Sequence, residues 1–118
     1  MGYMRHHAIV VTSWKTALLN EAWLRAKELG MSVTNITDEV TNGYRSFLIA
    51  PDGSKEGWDT SDKGDTNRNR IIEWLDAQRY EDGSTSIGWV EVQFADDDAD
   101  TRIVRDSDHH YRERWANS

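Results

Sequence analysis

The chain has 118 residues, of which 37% are apolar and 30% charged, with a formal net charge of −7 and no cysteine. This length predicts one domain over residues 1–118, and the negative charge opposes direct binding to nucleic acid or to an anionic membrane. The missing cysteines exclude disulfides and thiolate chemistry. No apolar run reaches the roughly 20 residues of a membrane span, so we expect a cytoplasmic protein.

The first third of the chain predicts a strand followed by a helix. Residues 7–12 are rich in β-branched side chains and end at Thr12 and Ser13, which can cap a helix. Residues 14–29 repeat apolar side chains at helical spacing, and Gly30 is suited to end the helix. The predicted buried stripe consists of Leu18, Leu19, Ala22, Trp23, Ala26 and Leu29.

A hairpin is predicted next. Residues 31–40 form a weaker strand pattern, with Met31, Val33 and Ile36 pointing inward. Asn42-Gly43 is a strong hairpin-turn signal, because both residues tolerate positive φ. Residues 44–50 are then the partner strand, and the turn at residues 51–54 closes it.

The second half predicts a loop at residues 55–64 and a helix that begins at Asp65 or Thr66. Its apolar face comprises Ile71, Ile72, Trp74 and Leu75. After a loop at residues 80–86, Val90, Val92 and Phe94 are predicted to face inward, with Trp89, Glu91 and Gln93 on a partly wet face. An acidic turn at residues 96–100 leads to an edge strand at 101–105, and residues 106–118 are a short helix or a loose tail.

The element order is therefore β-α-β-β-α-β with an extra C-terminal strand. It predicts an α+β fold of the ferredoxin-like type, in which two helices cover one face of an antiparallel sheet. The other face would be open, and small proteins of this kind often close it with a second copy. We predict a homodimer that uses Trp89 and Tyr44 on that face.

The segment from Asn42 to Arg70 holds the candidate ligand site. Its glycine amides, its cations and a helix N-terminus suit a phosphate, and Trp58 could stack on a base. The candidate ligand-binding residues are Arg45, Lys55, Trp58, Ser61, Lys63, Arg68 and Arg70. The alternative is an ordinary exposed connection with Trp58 packed on the core. Neither phosphate-binding glycine motif is present, so a standard nucleotide or dinucleotide site is not expected.

No recognised catalytic or metal-binding signature occurs, so we predict no catalytic residue, no metal and no cofactor. The acidic run at 96–100 lacks the glycine and glutamate positions of an EF-hand. The histidines form two adjacent pairs, His6-His7 and His109-His110, without the spacing of a helical metal site. His7 could serve as a general base, but no motif places a nucleophile beside it.

Three blocks of the chain, HHAIVVTSW (6–14), NGYRSFLIAPDGSKEGWDTSDKGD (42–65) and EDGSTSIGWVEVQFADD (81–97), resemble small uncharacterised proteins of bacteriophages and their bacterial hosts. The resemblance implies a phage accessory protein. Many such proteins are compact, acidic and oligomeric, and they block host defences by binding a defence protein or by sequestering a nucleotide signal. No functional residue is transferred from the resemblance.

Three functions therefore remain open. The first is a non-enzymatic binder of a small anionic or nucleotide-type ligand, using the central loop. The second is an inhibitor that contacts a host defence protein through Trp58, Trp89 and acidic residues. The third is a small metal-dependent hydrolase or nuclease around Asp52 and Asp62.

Overall fold

The computed structural model describes residues 5–39, 41–52, 59–95 and 99–109, and for residues 59–61 the backbone alone. Its elements are β1 (His6–Ser13), α1 (Thr16–Glu28), β2 (Arg45–Ile49), α2 (Asp59–Asp76), β3 (Ile87–Phe94) and β4 (Arg102–Asp106). The four strands form one sheet in the order β2-β1-β3-β4, and every neighbouring pair is antiparallel. An α+β class with an antiparallel sheet, as predicted, is confirmed.

The core lies between the two helices and one face of the sheet. Ile9 and Val11 of β1 alternate toward this face, and no more than 2% of the surface of Phe47 or Ile49 of β2 is exposed. The helices contribute the other half of the cluster, namely Leu19, Ala22, Ala26, Ile71, Ile72 and Leu75. The apolar spacing of both helices was thus correctly interpreted, and Gly30 has the predicted positive φ of 78°.

The predicted strand at 31–40 is reduced, within the described residues, to one isolated bridge between Val33 and Ile49. The hydroxyls of Thr34 and Thr37 accept hydrogen bonds from the backbone N–H groups of Leu48 and Ser46, at 2.9 and 3.1 Å. Threonines three positions apart cannot follow the two-residue period of a strand, so side chains replace part of the ladder. The prediction of a full strand here was wrong. The bridge lies on the outer side of β2, and residue 40 is outside the described part.

Helix α2 begins at Asp59, six residues before the predicted start, so residues 59–64 are helical and do not form a loop. Thr66 is not the N-terminal cap, because its hydroxyl donates to the carbonyl of Asp62 at 3.0 Å, one turn earlier. Asp65 is not the cap either, since its carboxylate pairs with Arg68. The carboxylate of Asp62 lies in the first turn, where the positive end of the helix dipole favours it, and this helps an otherwise weak helical sequence to start there.

The predicted facing of β3 was also wrong. Trp89, Glu91 and Gln93 point into the helix-covered side and are at most 5% exposed, whereas Val90 and Val92 are only partly buried on the other face. The apolar alternation indicated the opposite orientation. The register explains the difference: Trp89 lies opposite Val11 and Glu91 lies opposite Ile9, so all four share the core face. Trp89 is therefore unavailable for a dimer contact.

The remaining boundaries agree with expectation to within a few residues. Asn42 and Gly43 have φ values of 58° and 78°, as the hairpin-turn prediction requires, and β4 follows the predicted edge strand closely. Residues 96–98 of the acidic turn predicted at 96–100, the turn residues 53–54 and the tail beyond residue 109 lie outside the described residues. Within the part that is described, no helix combines the length and the apolar character needed to cross a membrane.

Candidate functional site

A cavity of about 500 Å³ opens at one end of the sheet, where β1 begins and β2 ends. The segment after α1 and the first half of α2 form its other walls. Its lining residues are His7, Gly30, Met31, Ser32, Ile49, Ala50, Pro51, Asp52, Lys63, Gly64, Asn67 and Arg68. The volume falls within the range of small-molecule sites, and one wall is apolar while the other is charged.

A buried carboxylate lies behind this cavity. Only 2% of Glu91 is exposed, and its Oε2 lies 2.8 Å from Nδ1 of His7. The two residues are on neighbouring strands, β3 and β1, and both point to the helix-covered face. The side chain of His7 is 15% exposed and forms part of the cavity lining. Glu91 thus fixes the orientation of a histidine that a ligand could reach.

Two arginines complete the environment of Glu91. Arg105 of β4 donates from Nε to Oε1 of Glu91 at 2.5 Å, and its Nη2 donates to Oδ1 of Asn69 at 2.8 Å. Arg68 of α2 approaches Oε2 of Glu91 at 3.8 Å. Three elements therefore converge on one carboxylate, which is how a charged group is tolerated in a sheet core.

These contacts keep Glu91 ionised. Burial of the carboxylate raises its pKa, but the hydrogen bonds from His7 and Arg105 and their charges lower it by more, so the pKa lies below its ordinary value of 4.5. At neutral pH Glu91 is therefore ionised and can accept but not donate hydrogen bonds. The hydrogen between it and His7 must therefore belong to the imidazole.

Arg68 and Lys63 are the cations of the cavity wall, and they differ in their surroundings. Arg68 is 8% exposed and pairs with Asp65 one turn earlier, while Asp52 lies 3.8 Å from it across the cavity. Lys63 is exposed, and within the described part of the chain no carboxylate lies within ion-pair distance of it. The charge of Lys63 is therefore available to an incoming anion.

A more open cleft adjoins the cavity and shares Gly30, Lys63 and Asn67 with it. Its volume is about 780 Å³, and Asp62 and Arg70 lie along it. The amide of Asn67 donates to the backbone carbonyl of Leu29 at 3.0 Å, which ties α2 to the end of α1 beneath both openings. The two volumes together could hold a ligand with a compact charged part and a longer extension.

The sequence-predicted ligand residues are only partly brought together. Lys63 and Arg68 line one cavity, and Arg70 lies in the adjoining cleft. Arg45 pairs with Ser13 at the opposite end of β1, about 20 Å along the strand from His7, so it is remote from the cavity. Residues 55 and 58, the predicted Lys55 and Trp58, lie outside the described part, and Ser61 is described only by its helical backbone.

Sequence reasoning missed two residues of this site, Glu91 and Arg105, and it did not find the pairing of His7 with Glu91. Glu91 was assigned to a wet face because apolar side chains occupy the alternate positions. The one available signal was that Glu91 shares its strand face with Trp89, a residue that buries a large area. A charge beside such a residue on the same face indicates a buried ion pair.

Asp52 and Asp62, the carboxylates of the hydrolase hypothesis, line separate openings. Among the residues that the structure describes, no group of three or more His, Asp or Glu side chains is arranged to hold a metal ion.

Comparison with family models and with curated proteins finds no match. Among solved structures, the chain is similar to the non-canonical dimeric guanylyl cyclase domain of the RhoGC fusion protein from the aquatic fungus Blastocladiella emersonii. The identity is 16%, the match covers 89% of this chain and 71% of that one, and the TM-score is 0.32. At that score the likeness supports no argument about fold or function.

Proposed function

We propose that this protein is a non-enzymatic binder of a small anionic ligand of the nucleotide type, held in the 500 Å³ cavity between α2 and the end of the sheet. The observation that carries the proposal is the joint presence of Lys63 and Arg68 in the lining of one cavity, with the charge of Lys63 not used by a described carboxylate. A phosphate group is the natural partner of such a pair.

The rest of the lining suits the other parts of such a ligand. Met31, Ile49 and Ala50 supply an apolar wall against which a base or sugar could pack. Gly64 lies on the helical wall beside Arg68, and a Cβ placed there would clash with the Asp52 carboxylate. The lack of a side chain at this position therefore keeps Asp52 and Arg68 close together across the cavity.

Isothermal titration with cyclic AMP and with UDP-glucose tests the proposal. We expect at least one of them to bind, and Lys63→Ala to weaken that binding about tenfold, since a charge-assisted hydrogen bond contributes roughly 1.5–3 kcal/mol. The matched control is Lys27→Ala, because Lys27 lies on α1 over the ring of Trp23 and lines none of the cavity. No binding of either compound, or equal loss in both variants, contradicts the proposal.

A second candidate function is contact with another protein, a second copy or a host defence protein. It is favoured by the sheet face that the helices leave uncovered, where Ile103 is 61% and Val10 38% exposed. This replaces the contact through Trp89, which is buried. For the second copy, sedimentation at micromolar concentration should give the mass of two chains, and a mass of one chain would contradict the homodimer.

The wider assignments belong to the same proposal. A phage accessory or anti-defence role in the host cytoplasm rests on the resemblance of three sequence blocks and on the acidic composition. A ferredoxin-like arrangement is supported by the strand order with the Val33 bridge outside β2, since that bridge occupies the place of the missing strand.

A further inference from the structure

His7 lines the proposed ligand cavity, but the proposed function gives it no role there. Its Nδ1 is engaged by Glu91, which is ionised and can only accept a hydrogen bond. The hydrogen of the neutral ring therefore lies on Nδ1, and Nε2 is left as a basic nitrogen. Among the described residues none bonds to Nε2, so a ligand is the partner that this nitrogen can take.

Charged groups from several elements lie along this cavity or against Glu91. They are Asp52 after β2, Lys63, Asp65 and Arg68 of α2, Glu91 of β3 and Arg105 of β4. With an uncharged His7, these three cations and three carboxylates carry no net charge. A dianion therefore needs added positive charge, and a proton on His7 Nε2 supplies part of it.

We propose that His7 is a ligand contact of this cavity, and that a phosphate-type dianion binds there together with one proton held on His7 Nε2. The inference rests on the proposed function. In the bound state both ring nitrogens donate, Nδ1 to Glu91 and Nε2 to a phosphate oxygen. The Glu91 carboxylate holds the Nδ1–H group in place, as an acidic residue does behind a catalytic histidine.

The probe for the test is UDP-glucose, because its diphosphate is a dianion that does not itself change protonation near neutral pH. Titration calorimetry in buffers of different ionisation enthalpy counts the protons taken up on binding. We expect uptake approaching about one proton per ligand as the pH rises, with affinity falling toward about tenfold per pH unit. In His7→Gln, whose amide can donate but cannot titrate, both effects should vanish.

The matched control is His6→Gln. His6 lies on the other face of the sheet, with its ring 5.6 Å from that of Phe94, and lines no part of the cavity. It should retain the proton uptake of the wild type. Nitrogen-15 spectra of the wild-type histidines provide a measurement that does not depend on a variant: adding UDP-glucose at fixed pH should raise the protonated fraction of His7.

The outcomes separate the two claims. If the wild type does not bind UDP-glucose, the dianion proposal is overturned. If the wild type binds neither UDP-glucose nor cyclic AMP, the proposed function is overturned as well. If UDP-glucose binds without proton uptake, if uptake persists in His7→Gln, or if the His7 signals do not change, the inference about His7 is wrong while the anion site stands.

Discussion

At the scale of single residues, Glu91 decides how this site is built. A carboxylate that is 2% exposed would be expensive by itself, yet here two strands and a helix each supply it with a donor or a positive charge. The same contacts orient His7 toward the cavity. Removing one charge from such a cluster leaves its partners uncompensated, so Glu91 should contribute to stability as well as to the site.

We predict that Glu91→Gln lowers the free energy of unfolding by about 3 kcal/mol, because Arg105 and Arg68 lose their shared carboxylate. The wild type should lose stability as the pH falls below the ordinary glutamate value of 4.5, since the unfolded chain then binds a proton that folded Glu91 does not. This acid dependence should be weaker in the variant. Urea denaturation across pH measures both, with the exposed Glu81→Gln as control.

An equal acid dependence in wild type and Glu91→Gln would show that Glu91 is not held ionised by its neighbours. Asp76 is a second source of acid sensitivity: burial raises its pKa, but hydrogen bonds from His109 and Arg79 lower it by more, so it lies below its ordinary value. A residual slope in the variant is therefore expected.

Trp89 tests the facing of β3. It is 5% exposed and packs in the core, so Trp89→Ala should lower the free energy of unfolding by about 3–5 kcal/mol. Trp14→Ala is the matched control, since Trp14 is 50% exposed and should change stability by less than about 1 kcal/mol. Urea midpoints of the two variants measure the difference. Similar small losses in both would mean that Trp89 faces solvent, as the apolar alternation alone had indicated.

At the scale of elements, the apolar spacing in the sequence was enough to identify both helices and the main strands. It was not enough to find the start of α2, because residues 59–64 carry mostly polar, weak helix formers. Tertiary contacts determine where α2 begins, because Asn67 and Arg68 bind groups on other elements and hold the helix against the end of the sheet. Such contacts are invisible to a local pattern.

Proline substitution distinguishes the observed start of α2 from the predicted one. Thr66 lies in the second turn, so Thr66→Pro removes an internal hydrogen bond and should cost about 3 kcal/mol or more. If the helix began at residue 65 or 66, proline there would occupy its first turn and be tolerated. The control is Thr60→Pro, whose N–H has no partner within the helix in any case. Thermal unfolding followed by circular dichroism measures both variants.

At the scale of the whole molecule, the fold brings together residues that are far apart in the chain. His7, Asp52, Lys63, Arg68 and Glu91 meet at one end of the sheet, although 84 positions separate the first from the last. The sequence could identify Lys63 and Arg68 because both lie near the predicted N-terminus of α2, in a segment rich in glycine and cations. It could not identify Glu91 as their neighbour, because that depends on a strand register set by packing.

The open face of the sheet also shows what sequence patterns alone cannot identify. Pattern reasoning correctly expected a face without helices, but it assigned the wrong side chains to it. Val10, Val90, Val92 and Ile103 occupy that face, and Trp89 lies on the other side. Because the predicted facing of β3 was inverted, the contact surface was expected at the wrong side chains. The same error placed the buried carboxylate of Glu91 on the solvent-exposed face.

The measurement that tests the central claim most directly is a crystal structure of the protein with UDP-glucose. We predict that the diphosphate lies in the cavity within hydrogen-bonding distance of Lys63 and Arg68, with the uridine against Met31 and Ile49. A ligand bound elsewhere, with this cavity filled only by solvent, would contradict the account.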